Sequence, residues 1–232
     1  VAVNAASLSS MHTDLAREFE MNPDMPFSQK KQEPFDAESS HDWKKLVRCA
    51  MLCNRSVFRP EEENMKKEIL KRECTGDASE KAIFQYTEVA VGDVAKFREE
   101  NRKIIEIPFN STNKFQVSIH ETVENRDQGL LLVMKGAPER MLERSSHILI
   151  DGQTLELSSD WVRAFNEAYE ALGSMGERVL GFCDLRLDPN VYTKDFKFDT
   201  ENINFPVKGL RFLGFISLID PPKPSVPEAV AK

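Results

Sequence analysis

A chain of 232 residues, 41% of them apolar, is long enough to bury one sizeable core and is expected to fold as one large domain. Its longest apolar runs, Leu130 to Met134 and Phe212 to Ile219, fall far short of the roughly 20 residues a membrane-spanning helix needs, and no signal-peptide pattern opens the chain, so a cytosolic setting is expected. A net charge of −7 argues against binding a nucleic-acid backbone, and any polyanionic ligand has to meet a local concentration of Lys and Arg.

Residues 1–37 mix Ser, Asn, Asp, Pro and Met without steady periodicity, and Pro23, Pro26 and Pro34 interrupt any long helix; they read as an entry strand plus a variable loop. From Ser39 onward Trp43, Leu46, Val47, Ala50 and Met51 form the apolar stripe of a helix over residues 41–54. A second helix opens at Asp77-Ala-Ser-Glu80, where Asp77 caps the first amides and Glu80 is placed to reach back, with Ala82, Ile83, Tyr86, Val89 and Ala90 as its apolar face. Three alternating segments follow, Ile105 to Phe109, Phe115 to Ile119 and Leu130 to Met134, with polar turns between them, as in an antiparallel meander.

Pro138 suits the first turn of a short helix ending near Arg144. Asp151-Gly152 between Ile148 to Ile150 and Thr154 to Leu157 signals a tight hairpin, because both turn residues tolerate positive φ. Trp161, Phe165, Ala168 and Leu172 mark a further helix stopping at Gly173. Arg178 to Leu185 and Leu210 to Leu218 read as two more strands, the second ending before Asp220-Pro221-Pro222. Helices and hairpins in blocks predict an α+β domain: an antiparallel twisted sheet of about six or seven strands flanked by helices.

Cys49, Cys53, Cys74 and Cys183 are too sparse for a disulfide scaffold, so reduced thiols are expected. Cys49 and Cys53 have no second Cys or His pair at zinc-site spacing, and His12, His41, His120 and His147 are scattered, so no metal site is expected. The common phosphate loops, G-x-x-x-x-G-K-[ST] and a helix-opening G-x-G-x-x-G, are absent, as is a G-x-S-x-G elbow.

Four strings resemble the nucleotide-binding domain of P-type cation-transporting ATPases of the sodium-potassium and proton-potassium kind: Cys74-Thr-Gly-Asp-Ala-Ser-Glu80, Ile107-Pro-Phe-Asn-Ser-Thr-Asn-Lys114, Met134-Lys-Gly-Ala-Pro-Glu-Arg140 and Gly176-Glu-Arg-Val-Leu-Gly-Phe182. Leu52-Cys-Asn-Arg-Ser-Val-Phe58 and Ile219-Asp-Pro-Pro222 follow the same order, so the resemblance covers residues 39–232. Ser145, where a cysteine is usual, and Ser174-Met175 depart from the pattern away from the contacts it implies.

The resemblance implies ATP or ADP as ligand. Phe109 would stack on adenine, the alternative being a plain core strand residue, and Glu80 would accept the adenine amino group, the alternative being a capping-box glutamate. Lys114 and Lys135 would supply charge and pocket wall, although a lone lysine is ordinarily a solvated surface charge. Ser111 and Gln116 would add polar contacts, Arg178 would reach a phosphate, Gly136 would let backbone approach the ligand, and Phe182 would close the pocket.

The family's Asp-Lys-Thr-Gly phosphorylation string does not occur, so no catalytic residue is expected here and binding without hydrolysis is. On this resemblance residues 1–37 are entry strand and loop, 38–218 the nucleotide-binding domain, and 219–232 a return carrying the hinge Asp220, Pro221 and Pro222. Mg2+ would serve the intact enzyme without being required by this part. The implied partners are phosphorylation and actuator domains of the same polypeptide and a beta subunit, with no nucleic acid and no direct membrane contact. The implied location is the cytoplasmic side of a plasma-membrane protein. Two other classes stay open: a regulatory interaction domain that has lost its ligand, and a free-standing kinase or phosphatase, the latter weakened by the missing phosphate loop.

Overall fold

The computed structural model describes residues 40–123, 129–193 and 195–219, together with the backbone of strand β1 (Ala2–Ala6). Apart from β1, the expected entry strand and variable loop over residues 1–37, and the expected hinge at Asp220, Pro221 and Pro222, lie outside the described residues.

Helix α1 (His41–Leu52) starts where the Ser40 hydroxyl accepts the Trp43 amide at 3.2 Å, and its stripe buries Leu46, Val47, Cys49 and Ala50. After two short turns, α2 (Glu62–Met65) and a 3-10 segment Ile69–Lys71, helix α3 (Ala78–Ala90) opens on Asp77, whose carboxylate accepts the Ser79 and Glu80 amides. Helix α4 (Val94–Glu100) has no counterpart among the sequence expectations. It is only two turns long, and its cap Asp93 sits at φ +42, a conformation that no apolar periodicity announces.

Strands β2 (Lys103–Ile107), β3 (Phe115–His120) and β4 (Leu131–Gly136) form the meander. Helix α5 (Pro138–Arg144) then leads to β5 (Ser145–Ile150) and β6 (Gln153–Glu156), joined through Asp151 and Gly152 at φ +49 and +77, both in the left-handed region that this tight turn requires. Helix α6 (Ser159–Ser174), β7 (Arg178–Arg186) and β8 (Leu210–Ile219) complete the sheet.

The strand order is β2-β3-β4-β7-β8-β5-β6, with β1 also on β8. Strand β8 pairs with β5 along Leu210 to Phe212 and with β1 along Phe215 to Ile219, so β1 and β5 share one side of β8 end to end. The α+β architecture, a mostly antiparallel sheet flanked by helices, is the one expected from sequence; the sheet has eight strands, and β5 alone runs parallel to its neighbour β8 among the described pairings. Helix α5 carries the chain from β4 past β7 and β8, and a parallel neighbour can only be reached by such a crossover.

Helices cover both faces, which is why β3 and β4 expose no position. On one face α1 and α3 press Leu46, Cys49, Ala82 and Ile83 onto Leu131, Val133, Phe182 and Ile216. On the other, Met141 of α5 and Phe165, Ala168 and Leu172 of α6 pack on Phe115, Phe212 and Phe215, with the Phe165 ring 4.9 and 4.8 Å from those of Phe212 and Phe215. Asp184 on β7, fully buried, is held at 2.9 Å by Arg48 of α1 and by two nitrogens of Arg211 on β8, which ties helix to sheet.

Candidate functional site

An open pocket of about 710 Å³ lies where β3, β4 and β7 meet the ends of α5 and α6. One wall is the β2–β3 loop with Phe109, Ser111 and Lys114. The floor is Ala137, Pro138 and Glu139 at the start of α5. The far wall is the last turns of α6, with Tyr169, Glu170 and Gly173, followed by Glu177, Arg178, Val179 and Leu180 entering β7.

Strand β2 stops at Ile107 because Pro108 has no amide to continue the ladder, and Phe109 therefore leaves the sheet. Its side chain is 54% exposed, an unusual state for a phenylalanine that has a core within reach. The expectation that Phe109 continues the alternation of Ile105 and Ile107 is corrected accordingly. Gly136 ends β4, and a Cβ there would stand 2.4 Å from the Lys114 carbonyl oxygen, so only glycine lets loop and strand meet this closely. Lys114 and Arg178 bring two cations to the pocket, against the three carboxylates of Glu139, Glu170 and Glu177.

The pocket thus gathers Phe109, Ser111, Lys114 and Arg178. The remaining sequence-predicted residues do not line it. Gln116, Lys135 and Phe182 are register partners in one row across β3, β4 and β7, and this row faces α1 and α3. Leu180, two residues before Phe182 on the same face of β7, both lines the pocket and packs on that same cluster, so it joins the row to the pocket.

In that row the Lys135 ammonium donates to Glu80 Oε1 at 2.9 Å, both side chains being buried. Glu80 Oε1 also accepts the Arg55 amide at 3.3 Å, so this oxygen serves Lys135 and Arg55. Gln116 donates to Glu106 Oε1 at 2.8 Å, while Lys103 donates to the other Glu106 oxygen at 2.6 Å. Phe182 is wholly buried in the core beneath α1. Burial pushes the Cys53 thiol up to about 11 and that of Cys183 up to about 12, so neither is a thiolate near neutral pH.

The α6 wall of the pocket, and two residues near the site, Glu106 and Asn110, had no reading of their own in the sequence. Glu106 meets Gln116 only as a diagonal cross-strand neighbour, which the register of β2 on β3 creates. The α6 wall depends on tertiary packing. Asn110 sat inside a recognised polar turn, whose Asn-x-x-Asn spacing was the available signal for the bond described below.

Helices cover both faces of this mixed sheet, and the open pocket lies at one end of it. The chain belongs to the family described as P-type ATPase, cytoplasmic domain N, whose model matches residues 42–225. It is 54% identical over 194 residues to the sodium/potassium-transporting ATPase subunit alpha of Drosophila melanogaster, covering 84% of this chain and 18% of that one. It is 52% identical over 195 residues to the potassium-transporting ATPase alpha chain 2 of Cavia porcellus, covering 84% and 19%. The sodium/potassium-transporting ATPase subunit alpha-2 of Gallus gallus is 52% identical over 198 residues, covering 85% and 19%. The chain therefore spans about a fifth of the length of these curated relatives. Among the described residues no helix is long and apolar enough to cross a membrane.

Proposed function

We propose that this chain binds ATP by its adenine end in the pocket between the β2–β3 loop and α6, holding it for phosphorylation of a cation-transporting P-type ATPase, a sodium/potassium-exchanging pump. The observation that carries this reading is the exposed Phe109 on a pocket that also holds Lys114 and Arg178. An exposed aromatic ring offers a face for base stacking, and the two cations offer donors for the phosphates. The near-equal identity to a potassium-transporting alpha chain supports a potassium-transporting pump of the proton-exchanging type as the second reading.

In this assignment the domain binds nucleotide without hydrolysing it. The reacting aspartate and Mg2+ belong to other domains of the longer polypeptide, among them phosphorylation and actuator domains, and a beta subunit accompanies the whole pump at the plasma membrane with this domain on its cytoplasmic side. The pocket's own residues read the base, accept the sugar and steer the phosphates outward past Lys114 and Arg178.

The test is a map of amide shifts with and without ATP. Shifts should cluster in residues 109–114, 137–139 and 169–180, and Phe109→Ala should weaken binding by about 1–3 kcal/mol, the range for one stacked base, while circular dichroism stays unchanged. Shifts centred elsewhere, or a folded Phe109→Ala chain with undiminished affinity, would remove the nucleotide from this pocket.

A further inference from the structure

The residues Phe109, Ser111 and Lys114 all stand on the β2–β3 loop, outside any strand, yet a stacking ring and a phosphate-facing ammonium have to be held in register to act together. The loop has two anchors. At its far end the Lys114 carbonyl accepts the Ala137 amide at 3.1 Å, seated in the space that Gly136 leaves open. At its near end Asn110 makes both remaining bonds: its side-chain Oδ1 accepts the Asn113 amide at 2.7 Å, and its carbonyl accepts the Lys114 amide at 2.9 Å. Lys114, which both anchors engage, is held at φ +56, the left-handed region that a non-glycine residue enters only when its surroundings impose it. Asn110 is exposed and does not line the pocket.

We propose that Asn110 is a positioning residue for the nucleotide: its side-chain turn fixes the loop so that Phe109 and Lys114 are presented together. The proposal rests on the reading of this pocket as the ATP site. Phe109 and Ser111 flank Asn110 directly, so the same turn sets where both side chains leave the backbone. A loop already closed in the binding geometry loses less freedom when ligand arrives, and affinity rises by that difference. Without the Oδ1 bond the Asn113 amide turns to water, Lys114 relaxes from its left-handed state, and the ring and the ammonium are no longer held at a fixed spacing.

The test titrates adenosine and ATP into the 232-residue chain and into Asn110→Ala and Asn110→Asp. Aspartate keeps the Oδ acceptor but adds a negative charge, so uncharged adenosine is the probe for rescue. Asn110→Ala should weaken both ligands by about fivefold, the worth of one modest hydrogen bond, with the unfolding midpoint scarcely moved and the Asn113 amide exchanging faster. Asn110→Asp should restore adenosine binding and Asn113 protection while leaving ATP weakened. A role in fold stability alone would move the midpoint and leave affinity unchanged. Wild-type affinity in Asn110→Ala, or no rescue of adenosine by Asn110→Asp, overturns the positioning role while dependence on Phe109 leaves the pocket assignment standing. If the unaltered chain binds neither ligand, the pocket assignment fails and the positioning role falls with it.

Discussion

Lys135 and Glu80 set the residue-scale problem, because each alone would be an expensive group to bury. Both side chains are at most one-tenth exposed and they meet at 2.9 Å. Removing one partner strands the other's charge away from water, which ordinarily costs about 3–5 kcal/mol. Lys135→Met should therefore lower unfolding stability by an amount of that order in a urea titration. The double change Lys135→Met with Glu80→Gln should recover most of the loss, since no uncompensated charge remains. A Lys135→Met chain as stable as the original would mean that Glu80 finds water or another cation, and the pair would not be holding α3 to the sheet. This pairing was not legible in the sequence. The Lys-Gly-Ala-Pro-Glu string singles out Lys135, but a lysine in isolation reads as surface, and its partner lies 55 positions away. Phe109 was legible as a site candidate and illegible as to place, because Ile105 and Ile107 suggest that the strand runs on, whereas Pro108 ends it.

At the scale of elements, the join between β3 and α4 carries a titratable group with no part in the site. His120 is buried at the end of β3, where its Nδ1–H donates to the Asn101 carbonyl at 3.0 Å and its Nε2 accepts the Ser118 hydroxyl at 2.8 Å. Burial pushes its pKa down to about 4 from an ordinary 6.5. A group depressed in the folded state contributes stability above its unfolded pKa. As pH falls below about 6.5 the unfolded chain takes the proton while the folded one resists until about 4, so the contribution drains away across that window. The loss attributable to His120 should approach roughly 3 kcal/mol at the acid end. Urea midpoints of the original chain and of His120→Gln, measured from pH 7 to pH 4, should diverge at neutral pH and converge on acidification. Parallel curves would place His120 in contact with water. The elements themselves were largely readable: the 3.6-residue stripes gave α1, α3 and α6, and Asp151-Gly152 gave the β5–β6 hairpin. The parallel β5–β8 pair was not, because strand direction depends on where α5 deposits the chain, which is a matter of tertiary packing.

For the molecule as a whole, charge sets how a nucleotide in the proposed site would be read. The chain carries −7, and the pocket offers Lys114 and Arg178 beside Glu139, Glu170 and Glu177. A triphosphate lodged among those groups meets as much repulsion as attraction, so the phosphates gain most by extending past the two cations into solvent, where screening within about 10 Å at 0.1 M salt weakens whatever remains. Under the proposed assignment, base stacking on Phe109 then supplies the larger share of affinity, and the third phosphate adds little. ATP and ADP should accordingly bind with dissociation constants within about threefold of each other, less than an exposed ion pair is worth at its upper end. Adenosine should be weaker than both by a margin that shrinks as salt rises. Chelating Mg2+ should change the ATP affinity only slightly, because among the described residues no cluster of side chains, the three pocket glutamates included, is arranged to hold a metal ion. Calorimetric titrations of the three ligands at 50 and 300 mM salt, with and without chelator, check all of this together. An ATP preference over ADP of tenfold or more, or binding abolished by the chelator, would mean that the terminal phosphate or its metal is gripped directly, and the base-centred account of this pocket would have to be given up.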